Sequence, residues 1–325
     1  MVMNVLVTGG AGFIGSNFVH FLLKQPSVDR IVNVDALTYA ANLTSLSDVV
    51  QDKRYRFVHA DINNTDKLRQ LIKEERITHL VNFAAESHVD RSIIDATPFY
   101  HSNVAGVLSL LTVVKETSLT RFLQVSTDEV YGTIGTHQRP VDEQGQIKPS
   151  SPYAASKAAA DLFVLADFKT YQTPVVISRS ANNYGPYQHP EKLIPKTIQN
   201  GLAGRPIPVY GSGHQIRDWL AVSDNCAAIW AVLTQGVDGQ VYNVAAGQEA
   251  ANLSIISRIL RRLNAAPDLI EHVTDRPGHD FCYAMTHEKL TSLTDWHPRI
   301  SLDSGLAQTV AWYTNHQDWL KGFRN

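Results

Sequence analysis

A glycine-rich turn directly behind a short apolar run is the feature that most restricts the fold. The run Val5-Leu6-Val7-Thr8 is followed by Gly9-Gly10-Ala11-Gly12-Phe13-Ile14-Gly15. Glycines at positions 9, 12 and 15 allow a tight turn, a close approach of a diphosphate and close packing of a helix on a strand. A helix that begins here points its free N–H groups at the diphosphate. The pattern predicts a strand, a phosphate-binding turn and a helix.

An acidic residue follows the glycine turn at the spacing that is typical of a dinucleotide-binding site. Asp35 ends the second apolar run, twenty residues after Gly15, where a carboxylate can accept from both hydroxyls of a ribose. The same charge would repel a 2′-phosphate, and Ala36 offers no cation to bind one, so we expect NAD as the cofactor. A lone glycine turn is often only a turn, but the strand, the helix and the acid together favour a cofactor site. Asp61 is expected either to meet the adenine or to cap the next helix.

Short apolar runs alternate with helix-length amphipathic segments through the first half of the chain. This alternation predicts an α/β fold, a doubly wound (Rossmann) parallel sheet with helices on both faces. The predicted strands are residues 4–8, 30–35, 56–60, 79–84, 121–126 and 174–180, and the predicted helices are residues 12–24, 66–75, 98–117 and 153–170.

Proline and glycine become frequent after residue 180, which predicts irregular loops with short helices. Residues 240–244 form one further apolar run that could return to the sheet. We therefore expect a cofactor domain over residues 1–180, with a returning segment at about 215–245. Residues 181–214 and 246–325 are expected to form a smaller, loop-rich α/β substrate domain.

Composition limits the partners of the protein. The net charge is −2 and the pI about 6.7, without long runs of one sign, so we expect no nucleic-acid partner and no membrane partner. Two isolated cysteines, Cys226 and Cys282, suit a reducing compartment. The first residues lack the pattern of a signal peptide, so a cytoplasmic location is expected. The histidines have no metal-ligand spacing, and no metal is predicted.

A tyrosine and a lysine four residues apart open the predicted helix at 153–170. Their spacing in Tyr153-Ala154-Ala155-Ser156-Lys157 puts both side chains on one face. An ammonium near the phenol would lower its pKa, and the tyrosinate could then take a hydroxyl proton while hydride leaves the carbon. A surface helix with an incidental Tyr and Lys is common, but the position after a dinucleotide half favours a catalytic pair.

The glycine turn and the Tyr153/Lys157 pair together resemble the extended short-chain dehydrogenase/reductase family, whose members act on nucleotide sugars. In that family a serine or threonine at the end of strand five supports the tyrosine. The segment here is Val125-Ser126-Thr127-Asp128-Glu129-Val130-Tyr131-Gly132. The resemblance implies that Ser126 or Thr127 bonds the sugar hydroxyl under attack.

Asp128 and Glu129 follow directly. Two adjacent carboxylates compete for ionisation, and the losing partner stays protonated. One acid and one base side by side suit the elimination of water, although an isolated Asp-Glu pair is usually only a polar loop.

Further segments are similar to one group of that family, the dTDP-glucose 4,6-dehydratases. They are Ala84-Ala85-Glu86-Ser87-His88-Val89-Asp90-Arg91-Ser92, Asn182-Asn183-Tyr184-Gly185-Pro186-Tyr187, Pro190-Glu191-Lys192-Leu193-Ile194-Pro195, Arg217-Asp218-Trp219-Leu220 and Asp275-Arg276-Pro277-Gly278-His279-Asp280. The resemblance implies oxidation at C4 of the glucose, loss of water across C5 and C6, and return of the hydride to C6. Tyr153 would take the C4 hydroxyl proton, Glu129 would be the base at C5, and Asp128 would be the acid at the C6 hydroxyl.

The resemblance also implies a set of binding residues and a homodimer. The catalytic set is Thr127, Asp128, Glu129, Tyr153 and Lys157. The expected NAD contacts are Gly9, Gly12, Phe13, Ile14, Gly15, Asp35, Asp61, Ile62, Ala84, Ser102, Tyr153, Lys157 and Asn183. The expected contacts to the nucleotide sugar are Ser87, Thr127, Asn182, Lys192, Leu193, Pro208, Tyr210, Arg217, Asn252, Arg276 and His279. Arg217 and Arg276 suit the diphosphate best, because guanidinium groups pair bidentately with phosphate oxygens, with a structural salt bridge as the alternative for each. The predicted helices at 98–117 and 153–170 would form the dimer interface.

The sequence departs from the pattern of this group at three places, none of which involves Asp128, Glu129 or Tyr153. Phe281-Cys282 replaces two arginines, Gly211-Ser212-Gly213 replaces Gly-Asp-Gly, and Ala36 replaces a lysine. The first of these puts the preferred nucleobase or the phosphate affinity in question. The alternatives are a dehydratase of a CDP-, UDP- or GDP-sugar, a 4-epimerase of the same fold, and a non-catalytic NAD-binding scaffold. A non-catalytic scaffold usually lacks the tyrosine, the lysine or the acid pair, and all of these groups are present here.

Overall fold

The computed structural model describes residues 2–135 and 139–320 of the chain. Its strands are β1 (Met3–Thr8), β2 (Val28–Asp35), β3 (Tyr55–His59), β4 (His79–Asn82), β5 (Arg121–Thr127), β6 (Val175–Ser180), β7 (Asn182–Tyr184), β8 (Ile207–Tyr210), β9 (Ile216–Ala221), β10 (Val241–Val244), β11 (Glu249–Ala251) and β12 (Ile270–Val273). Its α-helices are α1 (Phe13–Leu22), α2 (Thr65–Glu74), α3 (Val89–Ile94), α4 (Thr97–Phe99), α5 (Gly106–Lys115), α6 (Pro152–Tyr171), α7 (Leu193–Leu202), α8 (Val222–Gln235), α9 (Asn252–Leu263), α10 (Glu288–Leu293), α11 (Leu302–Asn315) and α12 (Gln317–Leu320).

The large sheet confirms the predicted doubly wound α/β fold. Seven parallel strands stand in the order β10-β6-β5-β4-β1-β2-β3. All six predicted strands of the first half are present with bounds shifted by a few residues, and the run at 240–244 does return to the sheet as β10. Because the order reverses between β1 and β4, a crevice opens at the carboxyl ends of these strands. The phosphate turn after β1 lies at this edge.

Apolar layers cover both faces of the sheet, which explains the near-continuous apolar strands. On one face α1 and α8 bury side chains such as Phe18, Leu22 and Ile229. On the other face α2, α5 and α6 contribute Leu71, Leu110 and other buried residues. Strands buried on both sides need no polar alternation, and their sequence shows none. The site residues therefore extend from a rigid three-layer frame.

The helix predicted at residues 98–117 is present but not uniform. It runs from α4 through a π-helical stretch, Tyr100–Ala105, into α5. The wider turn brings the buried Asn103 to the loop behind β4, where its side chain donates to the carbonyl of Glu86 and accepts from its N–H. An apolar repeat of helical period does not distinguish an α-turn from a π-turn, so the sequence did not indicate it.

The expectation of only short helices after residue 180 is wrong. Helices α8, α9 and α11 have 14, 12 and 14 residues. Their apolar residues recur at helical spacing, as in Ile255, Ile256, Ile259 and Leu260 of α9, which are all buried. The prolines and glycines that suggested loops are concentrated between residues 185 and 213.

The later part of the chain has an apolar core of its own. Trp219 of β9, Ile194 and Ile198 of α7, Ile259 of α9 and Leu306 of α11 share one buried cluster. A small sheet, β11-β9-β7, and the pair β12-β8 lie in this part. The division into residues 1–180 with 215–245, and 181–214 with 246–325, stays a proposal.

Candidate active site

The turn between β1 and α1 requires its glycines. Gly9 has a φ of +70°, and a Cβ there would lie 2.5 Å from the main-chain nitrogen of Ala84. A Cβ on Gly15 would lie 2.3 Å from the carbonyl oxygen of Gly9. Within the described part of the chain, no side chain caps α1 at Gly12, so the N–H groups of its first turn are open to the crevice. This end of a helix suits an anion.

A continuous groove passes over this turn. Two adjoining cavities share Gly9, Gly12, Ala40, Phe83 and Ala85 in their walls. One end is lined by Asp35, Asp61, Ile62, Ala84 and Ser102, and the other by Phe13, Ile14, Gly15, Tyr153 and Lys157. The groove thus gathers every cofactor candidate except Asn183. Its order, from two acids past the phosphate turn to the tyrosine and lysine, fits an extended dinucleotide.

The two acids at the far end of the groove are held differently. Asp35 accepts hydrogen bonds from the N–H groups of Ala11 at 2.9 Å and Leu37 at 2.8 Å. Burial raises the pKa of Asp35, while these two main-chain bonds oppose the rise. Asp61 accepts from the N–H of Asn63, whereas the cap of α2 is Asn64. The alternative that Asp61 caps α2 is therefore wrong, and Asp61 lines the groove.

Tyr153 and Lys157 lie in the first turns of α6, as predicted. Tyr153 is buried, with its ring edge-on to Phe99 at 6.3 Å between centroids. The Lys157 Nζ donates to the carbonyl oxygen of Val125 at 2.7 Å, and burial lowers the pKa of Lys157 to about 8. Burial, Glu129 and Asp128 raise the pKa of Tyr153 well above 10. The net shift of this pKa is opposite to the expected one, because burial and then the two carboxyl groups raise it; the lowering by Lys157 stays a prediction.

The acid pair lies in a 3-10 turn, Asp128–Tyr131, directly after β5. The Thr127 hydroxyl accepts from the N–H of Glu129 at 3.3 Å and donates to Asp128 at 3.1 Å. It also lies close enough to the phenol of Tyr153 to lower the pKa of that group. The hydroxyl of Ser126 is buried and lacks a hydrogen-bond partner among the described residues. Ser126 lines the cavity that Tyr153 and Lys157 also line. Thr127 therefore connects the tyrosine with the acid pair.

Asp128 and Glu129 have different surroundings. Asp128 is 3% exposed, and burial together with the charge of Glu129 raises its pKa to about 8. Burial also raises the pKa of Glu129, but Arg276, Arg217 and Lys192 oppose that rise. The charge of Glu129 thus favours the protonated form of Asp128, and three cations near Glu129 favour its charged form. The roles of Asp128 as the acid and Glu129 as the base stay predictions.

Arg217 and Arg276 approach the acid pair from the second half of the chain. Arg217 is buried, donates to the carbonyls of Ile216 and Asp280 at 2.7 and 2.9 Å, and lies over the ring of Tyr283. Arg276 forms an ion pair with Asp90 at 3.3 Å. Among the described residues, Arg276 thus forms a salt bridge and Arg217 forms none, and the diphosphate contact of each stays a prediction.

Comparisons with known proteins identify the family of this chain. The model of the family described as GDP-mannose 4,6 dehydratase matches residues 6–309. The chain belongs to this dehydratase family. It is 47% identical to low-salt glycan biosynthesis protein Agl12 of Haloferax volcanii, over 96% of this chain and 98% of that protein. It is 43% identical to a dTDP-glucose 4,6-dehydratase of Streptomyces niveus, over 98% and 94%. The crystal structure of dTDP-glucose 4,6-dehydratase from Bacillus anthracis in complex with NAD has a TM-score of 0.93 at 44% identity, covering 99% of this chain and 100% of that one.

Two of the other substrate candidates of this dehydratase line the cavity beside Tyr153, and the binding role of the rest stays a prediction. Lys192 donates to the carbonyl of Ser87 at 3.0 Å, and both line the cavity beside Tyr153. Pro208 and Tyr210 are exposed on one face of β8, and the Tyr210 ring meets His279 edge-on at 6.2 Å. The remaining candidates begin helices or form β7: Leu193 at α7, Asn252 at α9, and Asn182 with Asn183 on β7.

Asn183 is the one cofactor candidate that does not line the groove. Its amide donates to the carbonyl of Ala181 at 2.9 Å. Its Oδ1 is buried without a hydrogen-bond partner among the described residues, as is the Oδ1 of Asn182. The cofactor contact of Asn183 stays a prediction.

Glu191 is a residue of the site whose role the sequence did not indicate. Its carboxylate accepts from the Tyr39 hydroxyl at 3.2 Å and lies 3.3 Å from His88, 3.5 Å from His189 and 3.6 Å from Lys192. It lines the cavity that holds Tyr153. The segment around it was recognised, but only the adjacent Lys192 and Leu193 were given a role.

Three further observations bear on the sequence expectations for this dehydratase. Phe281 is 44% exposed, and the N–H groups of Phe281 and Cys282 donate to the Thr133 hydroxyl. Over residues 2–135 and 139–320, no group of three or more potential ligands could hold a metal ion. In the same ranges, every helix is too short or too polar to cross a membrane.

Proposed function

We propose that this protein is an NAD-dependent hydro-lyase that converts an NDP-glucose, most specifically dTDP-glucose, to the 4-keto-6-deoxy sugar. The observation that carries the proposal is the buried Asp128–Glu129 pair beside Tyr153, in which the charge of Glu129 raises the pKa of Asp128 and cations surround Glu129. An enzyme that only moves a hydride to and from C4 has no use for this pair. Relatives named dTDP-glucose 4,6-dehydratase, at 40–44% identity, support the choice of substrate.

The groove over the glycine turn is the proposed NAD site. The open N–H groups at the start of α1 suit the diphosphate, and Asp35 suits the adenosine ribose. Asp35 and Ala36 both line that end and neither offers a positive charge, which favours NAD over NADP. Bound NAD supplies the acceptor for the C4 hydride and the donor for its return at C6.

The first step removes hydrogen from C4. Tyr153 must be deprotonated to act, and the positive charges of Lys157 and of bound NAD would favour the tyrosinate. The tyrosinate takes the proton of the C4 hydroxyl, and Thr127, whose hydroxyl lowers the pKa of the phenol, orients the sugar. Lys157 lies one helical turn further and, with its pKa at about 8, carries a positive charge near neutral pH. The product is a C4 ketone, which acidifies the proton on C5.

The second step removes water across C5 and C6. Glu129 takes the C5 proton. The electron pair of the broken C5–H bond then forms the C5–C6 double bond. Asp128 gives its proton to the departing C6 hydroxyl, which leaves as water. Hydride then adds at C6 and a proton at C5, so the sugar loses one water and the enzyme undergoes no net redox change. A carboxyl with a pKa of about 8 is still protonated at neutral pH, as this role demands.

The nucleoside diphosphate would be held by the second half of the chain. Arg217 and Arg276 face Glu129 closely enough to affect its pKa, so their charge also reaches the sugar end of a bound diphosphate. The exposed ring of Tyr210, next to His279, suits the nucleobase.

Product mass tests the proposal directly. The NAD-loaded protein is incubated with dTDP-glucose and, in parallel, with the CDP-, UDP- and GDP-glucoses. We expect loss of one water from dTDP-glucose and weaker activity on the others. A product of unchanged mass would indicate a 4-epimerase, and water loss mainly from another nucleotide would identify a different substrate. Folded, NAD-loaded protein that removes water from none of them would overturn the proposal.

A homodimer in the cytoplasm completes the proposed function. Leu108 of α5 and Leu162, Phe163 and Tyr171 of α6 are large apolar residues with 37–63% of their surface exposed. A second copy packed on these helices would cover them. Sedimentation should show a dimer that Leu162→Glu dissociates and that Leu202→Glu, on the exposed side of α7, does not. The buried free thiols Cys226 and Cys282 support a reducing compartment.

A further inference from the structure

A buried polar network lies behind the acid pair. The Arg179 Nε donates to Asp161 at 2.8 Å, and its Nη1 donates to the hydroxyl of Tyr131, also at 2.8 Å. The Tyr131 hydroxyl in turn donates to the Oδ1 of Asn243 at 2.8 Å. The Arg179 and Asp161 side chains are 3% and 1% exposed. None of the four residues lines the groove or the cavity around Tyr153.

The network joins the two parts of the proposed reaction centre. Asp161 lies on α6, four residues after Lys157 and therefore on the same face of the helix. Tyr131 ends the 3-10 turn that begins at Asp128. Arg179 connects them from β6, where it stands beside Ser126 of β5 and Asn243 of β10 in the sheet register. Each end of the network is thus one turn away from a group that acts on the sugar.

The burial of this network points away from a role in stability alone. A buried ion pair loses the hydration of both charges, and apolar residues of similar volume often stabilise a fold equally well. The second carboxylate oxygen of Asp161 has no hydrogen-bond partner in the described part of the chain. The network fixes orientation. A guanidinium that donates along two of its edges holds the Asp161 carboxylate and the Tyr131 hydroxyl in fixed relative positions.

We propose that Asp161, Arg179 and Tyr131 are positioning residues that set the acid–base turn relative to helix α6. The inference rests on the proposed function, because it assigns separate steps to the two ends. The Tyr131 end fixes the turn and so governs the elimination, in which Asp128 and Glu129 act. The Asp161 end governs the C4 oxidation, since its carboxylate favours the charged form of Lys157.

Tyr131→Phe is the most informative variant, because it removes one hydroxyl and keeps the ring. The Arg179–Asp161 pair and the apolar packing of the ring stay in place. We expect C4 oxidation at the wild-type rate and elimination slowed by about 10- to 100-fold, the scale of a small misplacement of reacting groups. The 4-keto sugar that still carries its C6 hydroxyl should then accumulate. Asp161→Asn should instead shift the alkaline limb of the oxidation step to lower pH.

Rapid mixing of the NAD-loaded enzyme with dTDP-glucose measures the two steps separately. The near-ultraviolet absorbance of the reduced cofactor follows oxidation, and the mass of the quenched sugar follows water loss. Tyr55→Phe is the matched control, because its buried hydroxyl accepts from Asn33 on the far side of the sheet. Melting temperature and NAD affinity report on folding for every variant.

The outcomes separate this inference from the proposed function. A wild-type enzyme that releases no water contradicts the proposed function itself. An active wild type with Tyr131→Phe slowed equally in both steps, or in neither, overturns the positioning role. Slowed elimination alone, with Tyr55→Phe unchanged, supports it.

Discussion

The ammonium of Lys157 donates a hydrogen bond of 2.7 Å to the main-chain carbonyl of Val125, two residues before Thr127. This contact ties helix α6 to the end of strand β5, so the tyrosine and the acid pair share one support. The same carbonyl also accepts from the Gln124 side chain at 3.2 Å. The lysine is thus both a fixed anchor and a buried charge, and the two roles have different consequences when it is replaced.

Lys157→Met should abolish turnover without destabilising the fold. The charge near the sugar hydroxyl is lost, and we expect the C4 oxidation to fall by at least about 100-fold, the contribution of one proton-transfer group. Removing a buried charge should leave the free energy of unfolding unchanged or raise it by about 1–3 kcal/mol. Stopped-flow kinetics and thermal unfolding measure the two effects.

The pH dependence of that stability difference provides the control. The pKa of Lys157 lies at about 8 in the folded protein, below its ordinary value of 10.5. Between these values the unfolded chain binds the extra proton, so wild-type stability rises with pH relative to the variant. The advantage of Lys157→Met should therefore be largest below pH 8 and shrink towards pH 10.5. A constant difference would contradict the buried charge.

Asp128→Asn and Glu129→Gln should stop the reaction after C4 oxidation. Both variants keep the shape of the turn but remove the acid or the base, so elimination should slow by about 100- to 10,000-fold. The 4-keto sugar with its C6 hydroxyl should accumulate on the enzyme, detected by mass after quenching. Wild-type release of the dehydrated product by either variant would contradict the assigned roles. Asp142→Asn, whose Oδ1 accepts a local turn bond from the N–H of Gln144, is the matched control.

The ionisation of Asp128 should limit the rate of elimination at high pH. Because Asp128 must be protonated to act and its pKa is raised to about 8, the elimination rate should fall as pH rises above 8. The free energy of unfolding gives a second measurement. Because the pKa of Asp128 rises from 3.8 in the unfolded chain to about 8 in the folded protein, the folded protein loses stability as the pH rises between these two values. Asp128→Asn should therefore gain stability over wild type at high pH and lack the alkaline limb of elimination. Rates and melting temperatures across pH 5–10 test both.

The sequence predicted the large sheet and the groove well, because both depend on local patterns. Apolar runs of strand length, and a glycine turn with Asp35 at the right spacing, reflect contacts between near neighbours. The net shift of the pKa of Tyr153 was predicted in the wrong direction, since it depends first on burial and then on Glu129 and Asp128, which approach from a different element. The spacing of Lys157 along one helix could not reveal this. The long helices after residue 180 were missed because glycines and prolines outweighed a helical period that is visible in Ile255, Ile259 and their neighbours.

Cofactor preference should follow the charge at the end of β2. Replacing Asp35 with Ser and Ala36 with Arg removes the carboxylate that repels a 2′-phosphate and adds a cation that can bind it. We expect NAD affinity to fall and NADP affinity to rise, so that the preference reverses. Calorimetric titration with both dinucleotides measures this. Asp52→Ser, in an exposed turn where the aspartate pairs with Arg54, should leave both affinities unchanged.

Asp90 and Arg276 should be coupled in substrate binding. The Asp90 carboxylate accepts from the Tyr210 hydroxyl at 2.8 Å and pairs with Arg276 at 3.3 Å. If Arg276 binds the diphosphate, Arg276→Ala should weaken dTDP binding by about 10- to 100-fold, the range for a hydrogen bond to a charged group. Asp90→Asn should strengthen binding several-fold, because a carboxylate no longer competes with the diphosphate for the guanidinium.

A double-mutant cycle decides whether this competition exists. In the Arg276→Ala background, Asp90→Asn should lose its benefit, because the guanidinium that the two anions share is gone. Arg262→Ala, which removes a guanidinium from an exposed pair with Asp303, is the control and should leave dTDP affinity unchanged. Calorimetry at two ionic strengths adds a check, since a weaker salt dependence is expected once Arg276 is removed. Additive effects of the two substitutions would show that Asp90 and the diphosphate bind different groups.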